Sequence, residues 1–153
     1  MLKKTHLALG LAIGLTFYPF VNKEFLFLIV TLIASILPDI DSSFSSLGRR
    51  FIFRPVQMMT NHRGILHTYT FCILITVLLA FFYPVFSLPF FIGYSFHLFA
   101  DSFTVMGIKP FWPFKMVSKG VVRTGGKVDF TIFIIFALID FILIILLISR
   151  LFG

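Results

Sequence analysis

The sequence predicts an all-α polytopic membrane bundle of about five transmembrane helices, with the whole chain, 1–153, forming one integral membrane domain. Three observations carry this prediction. Apolar residues make up 59% of the chain and charged residues 12%, against about 45–50% and about 25% in an ordinary soluble domain. Mean hydropathy is +1.04, and 23 phenylalanines are more than a soluble core of this size can hide. The apolar residues also gather into separate stretches, at roughly 5–20, 25–38, 66–83, 87–106 and 130–149.

The opening "MLKKTHLALGLAIGLTFYPF" places charge ahead of an apolar run, as a signal peptide does. No small-residue cleavage site follows it, so the segment reads as a retained first helix. The first two stretches are short against the ~20 residues a helix needs to cross a bilayer. They are expected to extend into their flanks, to tilt, or to form a helical hairpin around "VNKE". Only a short turn separates the third stretch from the fourth, which makes those two helices antiparallel neighbours. Pro19, Pro38, Pro84 and Pro89 fall near proposed helix ends, where proline is tolerated best. Cys72, the single cysteine, lies inside an apolar run. It permits neither an internal disulfide nor a cysteine zinc knuckle, and its expected role is packing. In the fifth stretch Asp140 interrupts the helix near its middle, where a structural role is expected.

A net charge of +7 can signal nucleic-acid binding, but here the basic residues are confined to particular loops, so no nucleic-acid partner is expected. In a membrane protein such bias reports orientation. With the N-terminus inside, Lys3, Lys4, Arg49, Arg50, Arg54, Arg63, Lys109, Lys115, Lys119, Arg123 and Lys127 share the inner face. Only Lys23 and Arg150 of the 13 basic residues lie outside. The expectation is an inner-membrane protein with a cytoplasmic N-terminus.

This topology gathers the polar residues on the same side. His6 starts the first helix, and Asp39 and Asp41, in "LPDIDSS", follow the second. His62 and His67, in "NHRGILHT", lie just before and just inside the third. His97 and Asp101 lie in the inner half of the fourth, one turn apart on one helical face. All 4 histidines therefore converge from separate stretches. Neutral imidazole and carboxylate together suit zinc, manganese or iron, as one ion or two. Any one of these histidines alone is more often a packed, hydrogen-bonded residue than a ligand. Asp39 and Asp41 alone could be a loop at a helix end paired with Arg63. Their convergence favours a site, because ionisable residues inside a bilayer are costly and usually functional. His62 and His67 are five apart and meet only if His62 sits on the loop, with Gly64 allowing the bend. "TGG" at 124–126 suits a turn better than a phosphate loop, and Asp129 would favourably start the last helix.

A starting His, then "LPDID", "HRGILH" and "HLFADSFTVMGIKPFWPF" resembles the YdjM-like family of membrane-bound, metal-dependent hydrolases, some of which are LexA-regulated. The resemblance runs from about His6 to Phe114. It implies that His6, Asp39, Asp41, His62, His67, His97 and Asp101 line a metal site, and that Arg63, Thr104 and Gly107 occupy motif positions. The family is in turn distantly similar to zinc-dependent phospholipase C and P1-type nucleases, which cleave phosphoesters. No histidine follows Asp101, so the ligands of a third zinc are missing and one or two ions are expected. Nor is an N-terminal amine expected at the metal without processing of the chain.

The expected activity is hydrolysis at the inner membrane surface, on a phospholipid or other lipid phosphate, with membrane lipids as partners. Asp39 is the first choice for a ligand or bridge. Asp41 serves as general base if it is not a ligand, and Arg63 stabilises charge on phosphate through its two-pronged guanidinium. Two other classes compete. A proton- or metal-coupled transporter would need polar groups continuing through the midplane, and the outer halves of helices one to four carry almost none. A non-catalytic, metal-stabilised protein would show a closed ligand set.

Overall fold

Proline and polar residues divide the chain into helices. A computed structural model describes residues 1–41 and 64–152, the side chains of Asp41, Leu151 and Phe152 excepted. Helix α1 spans Lys3–Phe17 and gives way to a 3-10 turn at Tyr18–Phe20, with Pro19 inside the turn. Helix α2, Glu24–Ala34, starts with an acid in its first turn, favourable at the positive end of the helix dipole. It stops ahead of Pro38, whose ring disfavours helix at the residue before it. A second 3-10 turn, Leu37–Asp41, follows.

After a third 3-10 turn at Ile65–His67, α3 runs from Tyr69 to Phe82, with the Thr68 hydroxyl accepting the Phe71 N–H at 3.1 Å as its N-cap. Helix α4, Pro84–Ser102, begins on a proline, which suits the first helical position because no N–H is needed there. The last helix, α5, is Lys127–Phe152. Five α-helices and no β-strand are present among the described residues.

Helix α4 is the central element, packed against α2 and α3 and also touching α1, while α1 carries α5 on its other side. The α2–α4 approach depends on Gly93. A Cβ there would meet the Thr31 carbonyl oxygen and stand 2.9 Å from Ala34 Cβ. The main core lies along α4, where Tyr94 and Leu98 bury with Ala34 and Cys72. Cys72 is fully buried and unpaired, in the packing role expected of it.

Between α4 and α5 the segment 103–126 folds back on itself. Ile108 and Ser118 exchange backbone hydrogen bonds of 2.9 Å, and Val105 N–H reaches Val122 O at 3.0 Å. Gly107 turns the chain here at φ +64°, where a side chain is disfavoured and would also strike the Ser118 carbonyl. The fold-back seats Val122 with Met1 and Ala100 in a second, smaller core.

The apolar stretches match the helices, with shifted ends. The fourth runs 84–102 rather than 87–106, which places Pro89 inside α4 instead of near its end. His67 sits in the 3-10 turn ahead of α3 rather than inside that helix. Among the described helices, only α5 is by length and composition long and apolar enough to cross a membrane, over Lys127–Arg150.

Candidate metal centre

Five ionisable side chains meet at the end of the bundle where α1 and α5 begin. His6 comes from the first turn of α1, Asp39 from the turn after α2, and His67 from the turn before α3. His97 and Asp101 come from α4, one turn apart. Each of these residues except Asp39 is 0–1% exposed, and Asp39 is the open member, its side chain 16% exposed. Asp101 Oδ1 accepts from the α-amino group of Met1 and lies 3.3 Å from His6 Nε2. Its Oδ2 lies 3.9 Å from His67 Nε2 and 4.0 Å from His97 Nε2. Asp39 Oδ1 is 3.9 Å and 3.8 Å from the same two nitrogens. The His6 and His97 rings stack, with centroids 3.8 Å apart, and His67 stands edge-on to His97.

Local structure holds each group in place. His97 Nδ1 donates to the Ser35 carbonyl at 2.8 Å, a bond available because α2 ends at Ala34 beside α4. That bond fixes the proton on Nδ1 and turns the Nε2 lone pair into the cluster. Tyr94 donates from its hydroxyl to Leu66 O at 2.6 Å, pinning the turn that carries His67. Asp101 is followed by a turn in which Thr104 Oγ1 donates to Asp101 O at 2.7 Å and Gly107 N–H returns to Thr104 O at 3.0 Å. Thr104 and Gly107, the motif positions, thus shape the backbone behind the carboxylate. The start of α1 is tied by Asp129. This buried carboxylate accepts from Leu2 N–H at 3.0 Å, Thr5 Oγ1 at 2.8 Å and Gly125 N–H at 2.8 Å.

The donor set fits a divalent cation. Burial pushes the Asp39 carboxyl above the usual carboxylate range, with the neighbouring His6 opposing the shift. His97 Nε2 and His6 Nδ1 are buried and have no hydrogen-bond partner among the described residues, a state that costs about 1–3 kcal/mol per group. An ion gives such nitrogens a partner. Ligands about 2.0–2.2 Å from one ion stand roughly 3.3–3.6 Å from each other, so the observed 3.8–4.0 Å pairs need only a small contraction. Two triads meet the requirement, His6–Asp39–His97 and His67–His97–Asp101, with ligand atoms within 4.8 Å of one another. The Nδ1–H bond from His97 to a backbone carbonyl is also the outer-shell bond that metal-bound histidines ordinarily make.

The family model of the YdjM inner membrane proteins matches residues 1–152. The chain belongs to the YdjM inner membrane protein family. Membership in the YdjM family and the long apolar α5 support a membrane location. No curated protein and no solved structure matches the chain.

Within this YdjM family member, the structure brings together five of the residues singled out from sequence: His6, Asp39, His67, His97 and Asp101. His62, Arg63 and the Asp41 side chain lie outside the described residues. Two groups at the cluster escaped the sequence reading. The Met1 amine donates to Asp101, a member of the cluster. The Ser35 carbonyl is a backbone group, which no residue type announces. "TGG" forms a turn, with Gly126 N–H on Arg123 O at 2.9 Å, and its Gly125 N–H is taken by Asp129. Asp129 anchors backbone in addition to starting α5. Asp140 is buried in α5, and its Oδ1 has no hydrogen-bond partner among the described residues.

Proposed function

We propose that this chain is a membrane-embedded, metal-dependent hydrolase that cleaves a phosphoester of a lipid or amphipathic substrate at the cytoplasmic face of the inner membrane. The observation that carries the reading is the buried His97 Nε2, aimed by the Nδ1–Ser35 bond into a set of imidazoles and carboxylates. Zinc suits this nitrogen-and-oxygen set best, and manganese is the second choice. His97 offers the cluster one nitrogen, so it belongs to one ion. A second ion would share Asp39 or Asp101, each of which has two carboxylate oxygens.

A bound divalent ion supplies Lewis acidity toward a phosphoryl oxygen and makes a coordinated water more acidic. The residues do the rest. Asp39, the most open member, faces the side from which substrate arrives. Asp41, adjacent in the same turn, is the candidate general base where it is not a ligand. Arg63 is assigned to the developing phosphate charge. All five helices cross the bilayer in this reading, and the bias of basic residues sets the cluster on the cytoplasmic side.

Metal content of detergent-purified protein tests the reading, with wild type beside the His97→Ala/Asp101→Ala double variant. Wild type should carry one or two zinc or manganese ions per chain. The variant should lose them while keeping its helical circular dichroism, and hydrolysis of lipid phosphoesters should fall with the metal. A wild type that holds no ion after incubation with zinc or manganese would overturn the proposal.

A further inference from the structure

A groove leads away from the cluster along the membrane-embedded surface. It encloses about 420 Å³ between α1, α4 and α5, within the range of about 300–1,000 Å³ typical of ligand sites. Its floor is the α1 stripe Thr5, Leu9 and Ile13, residues four apart and therefore on one face, with Met1 ahead of the helix. The Thr5 hydroxyl is turned away onto Asp129, which leaves only its methyl to the groove. One wall is the aromatic edge of α4, where Phe96, Phe99 and Phe103 stack edge to face with centroids 6.3 Å and 5.0 Å apart. Ile132 and Phe136 of α5 form the opposite wall. Among the described residues no polar atom lines the space.

From this geometry we infer that the groove holds one acyl chain of an anionic glycerophospholipid and so presents the lipid's phosphate to the cluster. The inference rests on the hydrolase reading above and specifies its substrate class. The groove and the cluster are neighbours: Met1 lines the groove and donates its amine to Asp101, Ala100 precedes Asp101, and Thr5 precedes His6. The α1 stripe from Thr5 to Ile13 is about 12 Å long at 1.5 Å per residue, and with Met1 ahead of it the floor matches the ~15 Å of one leaflet's hydrocarbon. Phe96, Phe99 and Phe103 are 37–52% exposed along the rim, so a chain can enter sideways from the bilayer. Charge at the mouth is complementary to an anionic headgroup: Arg123 is exposed and follows the groove residue Val122, and Lys127 at the start of α5 is also exposed.

Photolabelling of the full chain in lipid nanodiscs tests this, using phosphatidylglycerol with a diazirine on one acyl chain and mapping adducts by peptide mass spectrometry. Adducts should concentrate on Leu9, Ile13 and Phe136, above those on the outward-facing α5 residues Phe141 and Ile145. Leu9→Trp and Ile132→Trp, each filling the groove, should lower groove adducts roughly tenfold with metal content unchanged. Equal labelling of Phe141, Ile145 and the groove in wild type would overturn the inference, as would labelling unaffected by both tryptophans. A groove left unlabelled in wild type while Phe141 and Ile145 are labelled would mean that something other than lipid fills it, and would equally overturn the inference. Metal content read on the same wild-type sample separates the two ideas. Groove labelling without any bound ion would refute the hydrolase reading while leaving the acyl-chain site standing.

Discussion

In the proposed reading, Asp39 weakens the ion-free molecule and strengthens the metal-bound one. Burial raises its carboxyl above the ordinary range, so the folded, ion-free protein holds that proton more tightly than the unfolded chain does. The stability this group contributes is therefore fully present below the unfolded value, about 3.9, and is lost as pH rises through the raised folded value. Coordination needs the ionised carboxylate and reverses the sign. Asp39→Asn should thus be more stable than wild type near neutral pH in the presence of a chelator. With zinc added it should be the less stable of the two, missing the ~2.7 kcal/mol that an ion at a hundredfold excess over its Kd confers. Thermal unfolding in detergent, with and without chelator, checks both signs. The same change in stability under both conditions would remove Asp39 from the ligand set.

At the scale of elements, the cluster is built by where helices stop. Helix α2 ends at Ala34, and this frees the Ser35 carbonyl for His97. That ending lies beside α4 because Gly93 lets the backbones approach. Gly93→Leu should force α2 and α4 apart, costing about 1–3 kcal/mol or more. Ion affinity should fall about 10–100-fold as the bond that orients His97 is lost. Phe91→Leu, on the exposed side of the same helix, should change neither, and equal metal binding by all three proteins would sink the argument. The apolar stretches and the one-turn spacing of His97 and Asp101 were legible in the sequence because both are periodic signals. The ends of α4 were not, since Pro84 reads equally as a stop and as a first helical residue. His67 was misplaced by one element because a 3-10 turn has too few residues to impose a period. The Ser35 and Met1 contacts come from backbone atoms, which carry no side-chain signature at all.

Across the whole molecule, the proposed five crossings put the α1–α2 turn and the segment before α5 on opposite sides of the membrane. Cys72 is fully buried, so single cysteines can report this with little background. Phe20, 80% exposed, and Val121, 90% exposed, are suitable positions. A membrane-impermeant maleimide should label Phe20→Cys in intact cells and Val121→Cys only after disruption; the reverse pattern would invert the orientation, and labelling from one side would remove a crossing. The Asp129 anchor also bears on how such a molecule is made. The carboxylate that steadies the turn of His6 lies 124 residues after Thr5, the residue it holds. At about 5–20 residues per second, on the order of ten seconds separate the two. For that interval helix α1 is without its anchor. In the proposed reading, metal would load after α5 has docked, rather than nucleate the fold.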